Sequence, residues 1–396
     1  MRIYKNANIF EGAEYKLLSG MSLIEDQGKI VKITKEPYEN AIDLRGGYVL
    51  PAFIDAHCHL GDTGAKELGV GLTLEEAVVY PNGLKHRYLS KISEEELVET
   101  IRQGLLEMLR NGIAVIADYR EGGLKGVLAL RKAAEGLPIH ALALGRPTGS
   151  GADGKEVFDA EIKALLEVAD GIGMGGIYSL KEEDMRHVRE AARDKLFSIH
   201  IAEGRMDCEN SMREFGKSEV ERAAELETDF MVHLTHTDGR DRRILKENKI
   251  PIVCCPRTNL ILGDGFPELD LFAEDGISFG LGSDNMMFTS PDMFREMDTA
   301  SRVIRGIKEQ PDHMPFEECL KASAYGGAKA LKLEDKYGSL EEGKSASFFV
   351  ISAESPNLKY SHDIRSSMVH RVCSSDIKNF VVDGMDVIKD GKFLLE

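Results

Sequence analysis

The chain has 396 residues, 42% hydrophobic and 30% charged, the balance of an ordinary globular protein and not of a disordered or fibrous one. Its net charge is −17. A field of that sign repels phosphate, which argues against a general nucleic-acid or anionic-membrane binder. No apolar run approaches the roughly 18 residues of a membrane span. The start, MRIYKNANIFEGAEYK, lacks the basic and then apolar regions of a signal peptide. Six cysteines without a C-x-x-C pair do not form a disulfide framework. The expectation is a soluble cytoplasmic protein with reduced thiols.

The first fifty residues read as short strands. RIYKNANIF, YKLLSGMSLIE and KIVKITK are rich in β-formers, with Gly12, Gly20 and Gly28 between them. YVLPAFIDAHCHL then forms a continuous apolar run, as a strand buried on both faces does. SEEELVETIRQGLLEMLRNG has helical spacing, a Ser93…Glu96 capping box and Asn111-Gly112 as its stop. The strand IAVIAD follows, then the helix LKGVLALRKAAEG, the strand IHALALG, the helix EIKALLEVAD and the strand GIGMGG. Ser179…Glu182 is expected to open the helix KEEDMRHVREAARD, ahead of the strand LFSIHIAE. SEVERAAELE leads to FMVHL, RDRRILKEN to IPIVCC, and PELDLFAED to ISFGLGSDN. Counted from FIDAHCHL, these are eight strands with helices between them, the requirement of a (β/α)8 TIM barrel. DMFREMDTASRVIRGIKE and PFEECLKASAYGGAKALKL complete it.

After Gly338 the texture returns to β, and VDGMDVIKDGKF carries the Asp-Gly signals of hairpins. The fold expected is therefore α/β: a barrel over residues 51–337 and a small β-sandwich assembled from residues 1–50 and 338–396.

Active sites of such barrels lie at the C-terminal ends of the strands. Strand one ends in His57-Cys58-His59, strand two in Asp118-Tyr119-Arg120, strand five in His200 with Glu203 three residues on, strand six in His233 with His236 three residues on, and strand eight in Asp284. Residues i and i+2 of a strand point to the same side, so His57 and His59 converge on one ion while Cys58 faces away and packs. An imidazole from strand five and a carboxylate from strand eight complete three His and one Asp. That donor set suits Zn²⁺ or Fe²⁺ with a position open to water. A lone histidine at a strand end is more often a hydrogen-bonded rim residue; the repetition along one barrel face carries the metal reading.

This constellation resembles the amidohydrolase superfamily. GGYVLPAFIDAHCHLGD, GLGSDN and GSLEEGKSASFFVI support the resemblance over essentially the whole chain, and HIAEG is similar to the cytosine-deaminase and chlorohydrolase branch. The resemblance implies that His57, His59, His200 and Asp284 ligate one divalent metal per chain, Zn²⁺ ahead of Fe²⁺. It further implies that Glu203 is the acid/base group and that His233 touches the attacking water and the substrate, with Asp284 sharing in proton transfer. His236 matches a position that is often histidine without being a ligand. Members with two ions carry a carboxylated lysine or a glutamate at strand four; here the nearest lysine is Lys181, inside a helix start, so one ion is expected.

The implied activity is deamination of an amino-substituted N-heterocycle, a purine, pterin or pyrimidine derivative. A cyclic-amide or carbon–halogen hydrolase is the alternative within the superfamily, and a non-catalytic scaffold on the same fold is the alternative outside it. Arg257 and Asn259 lie on the loop that relatives use for substrate contact. Lys85, Arg87, Arg120 and Arg146 lie on segments of the same face, where they would bind an anionic group unless neighbours such as Asp118 and Glu121 neutralise them. The expected partners are a small-molecule substrate and further copies of the chain, with neither nucleic acid nor membrane.

Overall fold

The computed structural model describes residues 1–395. Parallel strands run Phe53–His59, Ile113–Arg120, His140–Gly145, Gly171–Met174, Leu196–Ile201, Phe230–His233 and Ile252–Cys254; an eighth comes in two pieces, Phe279–Leu281 and Asp284–Asn285. Their order in the sheet follows their order in the chain. Phe279–Leu281 pairs with strand seven, Cys254 opposite Leu281, while Asp284–Asn285 pairs with strand one, Asp284 opposite Cys58. The split strand therefore closes the sheet into a barrel. Strands one, two, four, five and six are buried at every residue, which explains why they read as unbroken apolar runs.

The Ser93 capping box forms as expected, with Ser93 accepting from Glu96 N and Glu96 reaching back to Ser93 N ahead of the helix Glu94–Arg110. The Ser179 box does not form. That helix runs Glu182–Ala191 with exposed Lys181 at its N-cap and no side-chain cap, because residues 177–180 are taken up by a turn instead. The sequence reading also passed over short helices that ride on the strand-end loops, Leu74–Ala77, Leu84–Leu89, Arg205–Phe215 and Pro256–Leu262. A further helix, Ile364–His370, packs on the barrel, where His370 Nδ1 meets Asp298 at 2.6 Å.

The terminal segments form one continuous nine-stranded sheet. Phe348–Ile351 runs antiparallel to Tyr48–Pro51, which in turn lies parallel to Arg2–Glu11, so the two chain ends are stitched together. Side chains of Phe348–Ile351 alternate between two cores, as a strand's period of two requires. Phe349 and Ile351 join the barrel core, whereas Phe348 and Val350 join Tyr4, Ile9 and Leu23 in a second one. The hairpin turns Asp383-Gly384 and Asp390-Gly391 have φ of 45° and 80°, and 51° and 76°, the doubly positive pattern of a tight I′ turn. No described helix is long and apolar enough to cross a membrane.

A polar contact ties sheet to barrel away from the strand-end face. His140 Nε2, where strand three begins, lies 2.6 Å from Asp383 Oδ2, and Tyr337 and Ser345 donate to the same carboxylate. Burial acts to raise the Asp383 pKa, but the hydrogen bonds from His140 and Ser345 prevail and bring it from 3.8 down to about 2. A carboxyl depressed on folding stabilises the native state above its unfolded pKa and loses that contribution as pH falls through the folded value. Asp383 is therefore expected to contribute about 1 kcal/mol at neutral pH, after allowance for solvent screening of a pair about one-third exposed. That contribution fades between about pH 4 and pH 2. Denaturant titrations of Asp383→Asn against the parent should show a gap at pH 6 that narrows across this window.

Candidate metal centre and active site

Strand ends converge as the residue spacing requires. His57, His59, His233 and Asp284 are at most 2% exposed, and His200 is 8% exposed. Asp284 Oδ1 lies 3.2 Å from His57 Nε2 and 3.4 Å from His59 Nε2, and His200 Nε2 lies 3.4 Å from His59 Nε2. Ligands about 2.0–2.1 Å from a tetrahedral zinc stand roughly 3.3–3.4 Å from one another, so the donors already hold the edge lengths of such a site. Buried polar atoms without a hydrogen bond point the same way: His57 Nδ1 and Nε2, His233 Nε2 and Asp284 Oδ2. Left unpaired, such atoms cost free energy; an ion on one His57 nitrogen, with a water beside His233 Nε2 and Asp284 Oδ2, would relieve most of it. The residues present fit a divalent metal.

The backbone is bent to deliver them. Asp284 and His233 have φ of 61° and 78°, a left-handed region that non-glycine residues enter rarely and often at functional sites. Burial, foremost, keeps the imidazoles neutral. It lowers His57 and His200 well below the usual range and brings His59 and His233 down to about 3. Neutral imidazole is the ligating form. His200 Nδ1 donates to the Met174 carbonyl at 2.7 Å, which leaves its Nε2 lone pair facing the cluster.

Glu203 stands beside this cluster, 15% exposed, with Oε1 3.5 Å from His233 Nε2. Burial, then the negative charges of Asp284 and Asp264, push its carboxyl well above the ordinary range, toward the protonated form. Glu203, His233 and Asp284 bring one donor atom each within 4.8 Å of one another. Strand four ends at Met174 and is followed by Gly175-Gly176. Neither glycine offers a side-chain ligand, and Lys181 lies exposed at its helix start.

The basic and loop residues fare differently from the expectation of a free cationic patch. Lys85 is 2% exposed and its Nζ lies 2.5 Å from Glu121 Oε1. Arg120 is 1% exposed and bound to Asp118 at 3.2 Å and to Glu121 at 2.5 Å. These two cations are thus neutralised by the acidic neighbours that the sequence places beside them. Arg87 is exposed and donates to the Asn82 carbonyl. Arg257 donates to the Ser290 carbonyl at 2.9 Å and meets Glu296 at 3.4 Å. Asn259 is fully buried and reaches His233 Nδ1 at 3.2 Å, so it orients that ring and does not reach outward. His236 is half-buried, its backbone N–H on the Ala202 carbonyl. Arg146 alone of the five cations keeps a buried Nε with no hydrogen-bond partner, and it makes no ion pair among the described residues. Its guanidinium lies over Gly175, where a Cβ would stand 2.9 Å from Cζ.

Two acidic residues escaped the sequence reading as parts of the site. Asp264, on the loop after Pro256–Leu262, has a buried Oδ2 without a partner and is pushed up to about 7 by burial and by Asp284. Glu121, expected only to neutralise a neighbouring cation, has its Oε1 2.9 Å from His59 Nδ1. The signal was available in its position directly after strand two.

Residues 48–387 match the family model of the amidohydrolase family. An uncharacterised protein of Methanocaldococcus jannaschii is 36% identical over 379 residues, covering 93% of this chain and 95% of that one. A 5-methylthioadenosine/S-adenosylhomocysteine deaminase of Acetivibrio thermocellus is 26% identical over 417 residues, covering 98% and 94%. Among solved structures, a zinc-bound adenosine deaminase of Xanthomonas campestris superposes with a TM-score of 0.87 at 17% identity, covering 100% of this chain and 94% of that one.

Proposed function

The chain belongs to the amidohydrolase family of metal-dependent hydrolases, and we propose that it is an aminohydrolase that replaces the amino group on an sp² carbon of an N-heterocycle by hydroxyl, releasing ammonia. The observation that carries this reading is Glu203, 15% exposed, with its carboxyl shifted toward the protonated form and its Oε1 3.5 Å from His233 at the edge of the cluster. The same division of labour, a metal ion plus a carboxylate that is not a ligand, serves base deamination on an unrelated zinc fold. The deaminase among the relatives supports it.

His57, His59, His200 and Asp284 would hold one Zn²⁺, with Fe²⁺ equally suited to the donors. When bound, such an ion lowers the pKa of a water from 15.7 to about 7. Asp284, whose Oδ2 is buried and unpaired, would accept a proton from the oxygen of the attacking water. His233, oriented by Asn259, hydrogen-bonds the same oxygen. Glu203 would lend its proton to the ring nitrogen next to the amino-bearing carbon, the proton held by Asp284 would pass to the departing amine, which leaves as ammonia, and Glu203 would recover its proton from the ring nitrogen as the C–N bond breaks.

Zinc-loaded protein screened against amino-substituted purines, pterins and pyrimidines should release ammonia from at least one class. Halide release or ring opening in its place would favour the carbon–halogen or cyclic-amide alternative, and zinc uptake without any hydrolysis would favour the scaffold. We also expect self-association, to be checked by sedimentation.

Arg146 refines the substrate class toward heterocycles with a carboxylate or phosphate tail, because a half-buried guanidinium without a protein partner seeks a charge-assisted bond. Arg146→Ala should raise KM about tenfold or more, the cost of one lost charged hydrogen bond, and change kcat less. Steady-state kinetics on matched charged and uncharged substrates checks this. Consistent preference for the uncharged member removes the anion and leaves the deaminase standing. Lys85, Arg87, Arg120 and Arg257, expected at first to share this role, are committed elsewhere.

A further inference from the structure

Behind His59 lies a row of buried charges that the reaction as described does not use. Glu121 Oε1 stands 2.9 Å from His59 Nδ1 and 2.5 Å from Lys85 Nζ, while Glu121 Oε2 takes the Arg120 guanidinium at 2.5 Å. Arg120 also binds Asp118, whose other oxygen accepts from Leu60 N at 2.9 Å, next in sequence to the ligand. All four charged side chains are at most 7% exposed. The backbone is cut to admit them. A Cβ on Gly61 would stand 2.0 Å from Arg120 Nη2, and one on Gly126 would stand 1.8 Å from the Glu121 carbonyl oxygen. Burying two ion pairs is a poor way to gain stability, because desolvation consumes most of the attraction. The direction in which the row is built, with one end on the Nδ1 of a ligand, gives it another purpose.

We propose that Glu121 is the positioning carboxylate of the metal site, and that Lys85 sets how much of its charge reaches the metal ligand His59. The Tyr119 carbonyl takes the Nδ1 proton of His59 and fixes the tautomer with the Nε2 lone pair toward the cluster, while the Glu121 carboxylate, its Oε1 2.9 Å from the same nitrogen and without a hydrogen-bond partner of its own, places a negative charge behind the ring and makes the imidazole a stronger donor. The Tyr119 carbonyl, 3.1 Å from the same nitrogen, is a neutral acceptor that can hold the ring but not charge it. Lys85 sits on Leu84–Leu89, a helix of the loop after strand one. That loop therefore reports to the ion through two contacts, ammonium to carboxylate and carboxylate to imidazole. The inference rests on the metal-site reading of the preceding subsection.

The arrangement demands effects of opposite sign. Glu121→Gln keeps an acceptor near Nδ1 but removes the charge, so zinc affinity falls by about 10–100-fold, the usual cost of altering a group behind a metal ligand. Lys85→Met frees the Glu121 charge from its nearest counterion, so zinc affinity rises. The double variant restores the balance of charge without the carboxylate and behaves like Glu121→Gln. The readout is chelator competition for Zn²⁺ on full-length stripped protein, with the Tm of each metal-free variant alongside. A merely structural row would lower the Tm in all three and leave zinc affinity unmoved. Unchanged affinity in Glu121→Gln, or shifts of the same sign in both single variants, overturns the proposal. If Lys85→Met fails to fold, the comparison of Glu121→Gln with the charge-balanced double variant still decides, since unchanged affinity in both overturns it. A parent protein that takes up no zinc removes the metal reading and this inference together, whereas unchanged affinity in Glu121→Gln removes this one alone.

Discussion

Glu203→Gln is expected to slow turnover by about 10²–10⁴, the range associated with one positioned acid/base group, with zinc content unchanged. The substitution keeps shape and hydrogen-bonding capacity and removes only the transferable proton. Glu203 lies 3.5 Å from His233 and shares a donor cluster with His233 and Asp284 but not with His57, His59 or His200; with those three histidines and Asp284 intact, the ion should stay in place. The loss should fall in kcat and not in KM, because the proton is needed at the reacting atoms. Steady-state kinetics with elemental analysis of the same preparation checks both halves. A fully active variant, or one that loses its zinc, would overturn the assignment of Glu203 as a proton carrier that is not a ligand.

A second large effect is expected at the cluster itself. Elemental analysis should return one divalent ion per chain, and the paired substitution His57→Ala/His59→Ala should abolish both binding and turnover. Two donors are lost at once, and the third histidine and Asp284 cannot alone restore the donor set that the 3.2 and 3.4 Å spacings describe. Strand four argues for a single ion: Met174 is followed by two glycines, so that strand end offers no side chain to bridge a second one. Two ions per chain, or a carboxylated lysine in density, would contradict it.

What the sequence made legible follows from what is periodic in it. The barrel strands are buried on both faces and so appear as apolar runs, and the ligands sit where those runs end. His57 and His59 are two apart on one strand, and their convergence needed no knowledge of tertiary structure. The loop residues were a different matter. Lys85 and Arg257 lie on helices of six and seven residues, too short to leave a periodic trace, and whether a charge faces substrate or a neighbour depends on contacts between distant loops. Arg120 illustrates this: its partners Asp118 and Glu121 are adjacent in sequence, yet only the structure shows the guanidinium turned inward to them and away from the mouth. The Ser179 box failed for a related reason, since a serine three residues ahead of a glutamate caps a helix only if the chain enters at the right angle.

The broken eighth strand has a consequence for how the molecule is assembled. Asp284 lies on the short piece that pairs with strand one, and Asp55 of strand one accepts from Ser283 across the same seam, a contact between residues 228 apart in sequence. Asp284 and the last strand pairing are therefore delivered together, by the joining of the two most distant parts of the barrel. Such a long-range closure is slow and costly in chain entropy, and an ion held by His57 and Asp284 would act as a rivet on it. Metal occupancy and barrel closure would then share one free energy. Damage to the seam far from any ligand, at Asp55 for instance, would register as weakened metal retention, and removal of the ion would register as easier opening between the first strand and the last.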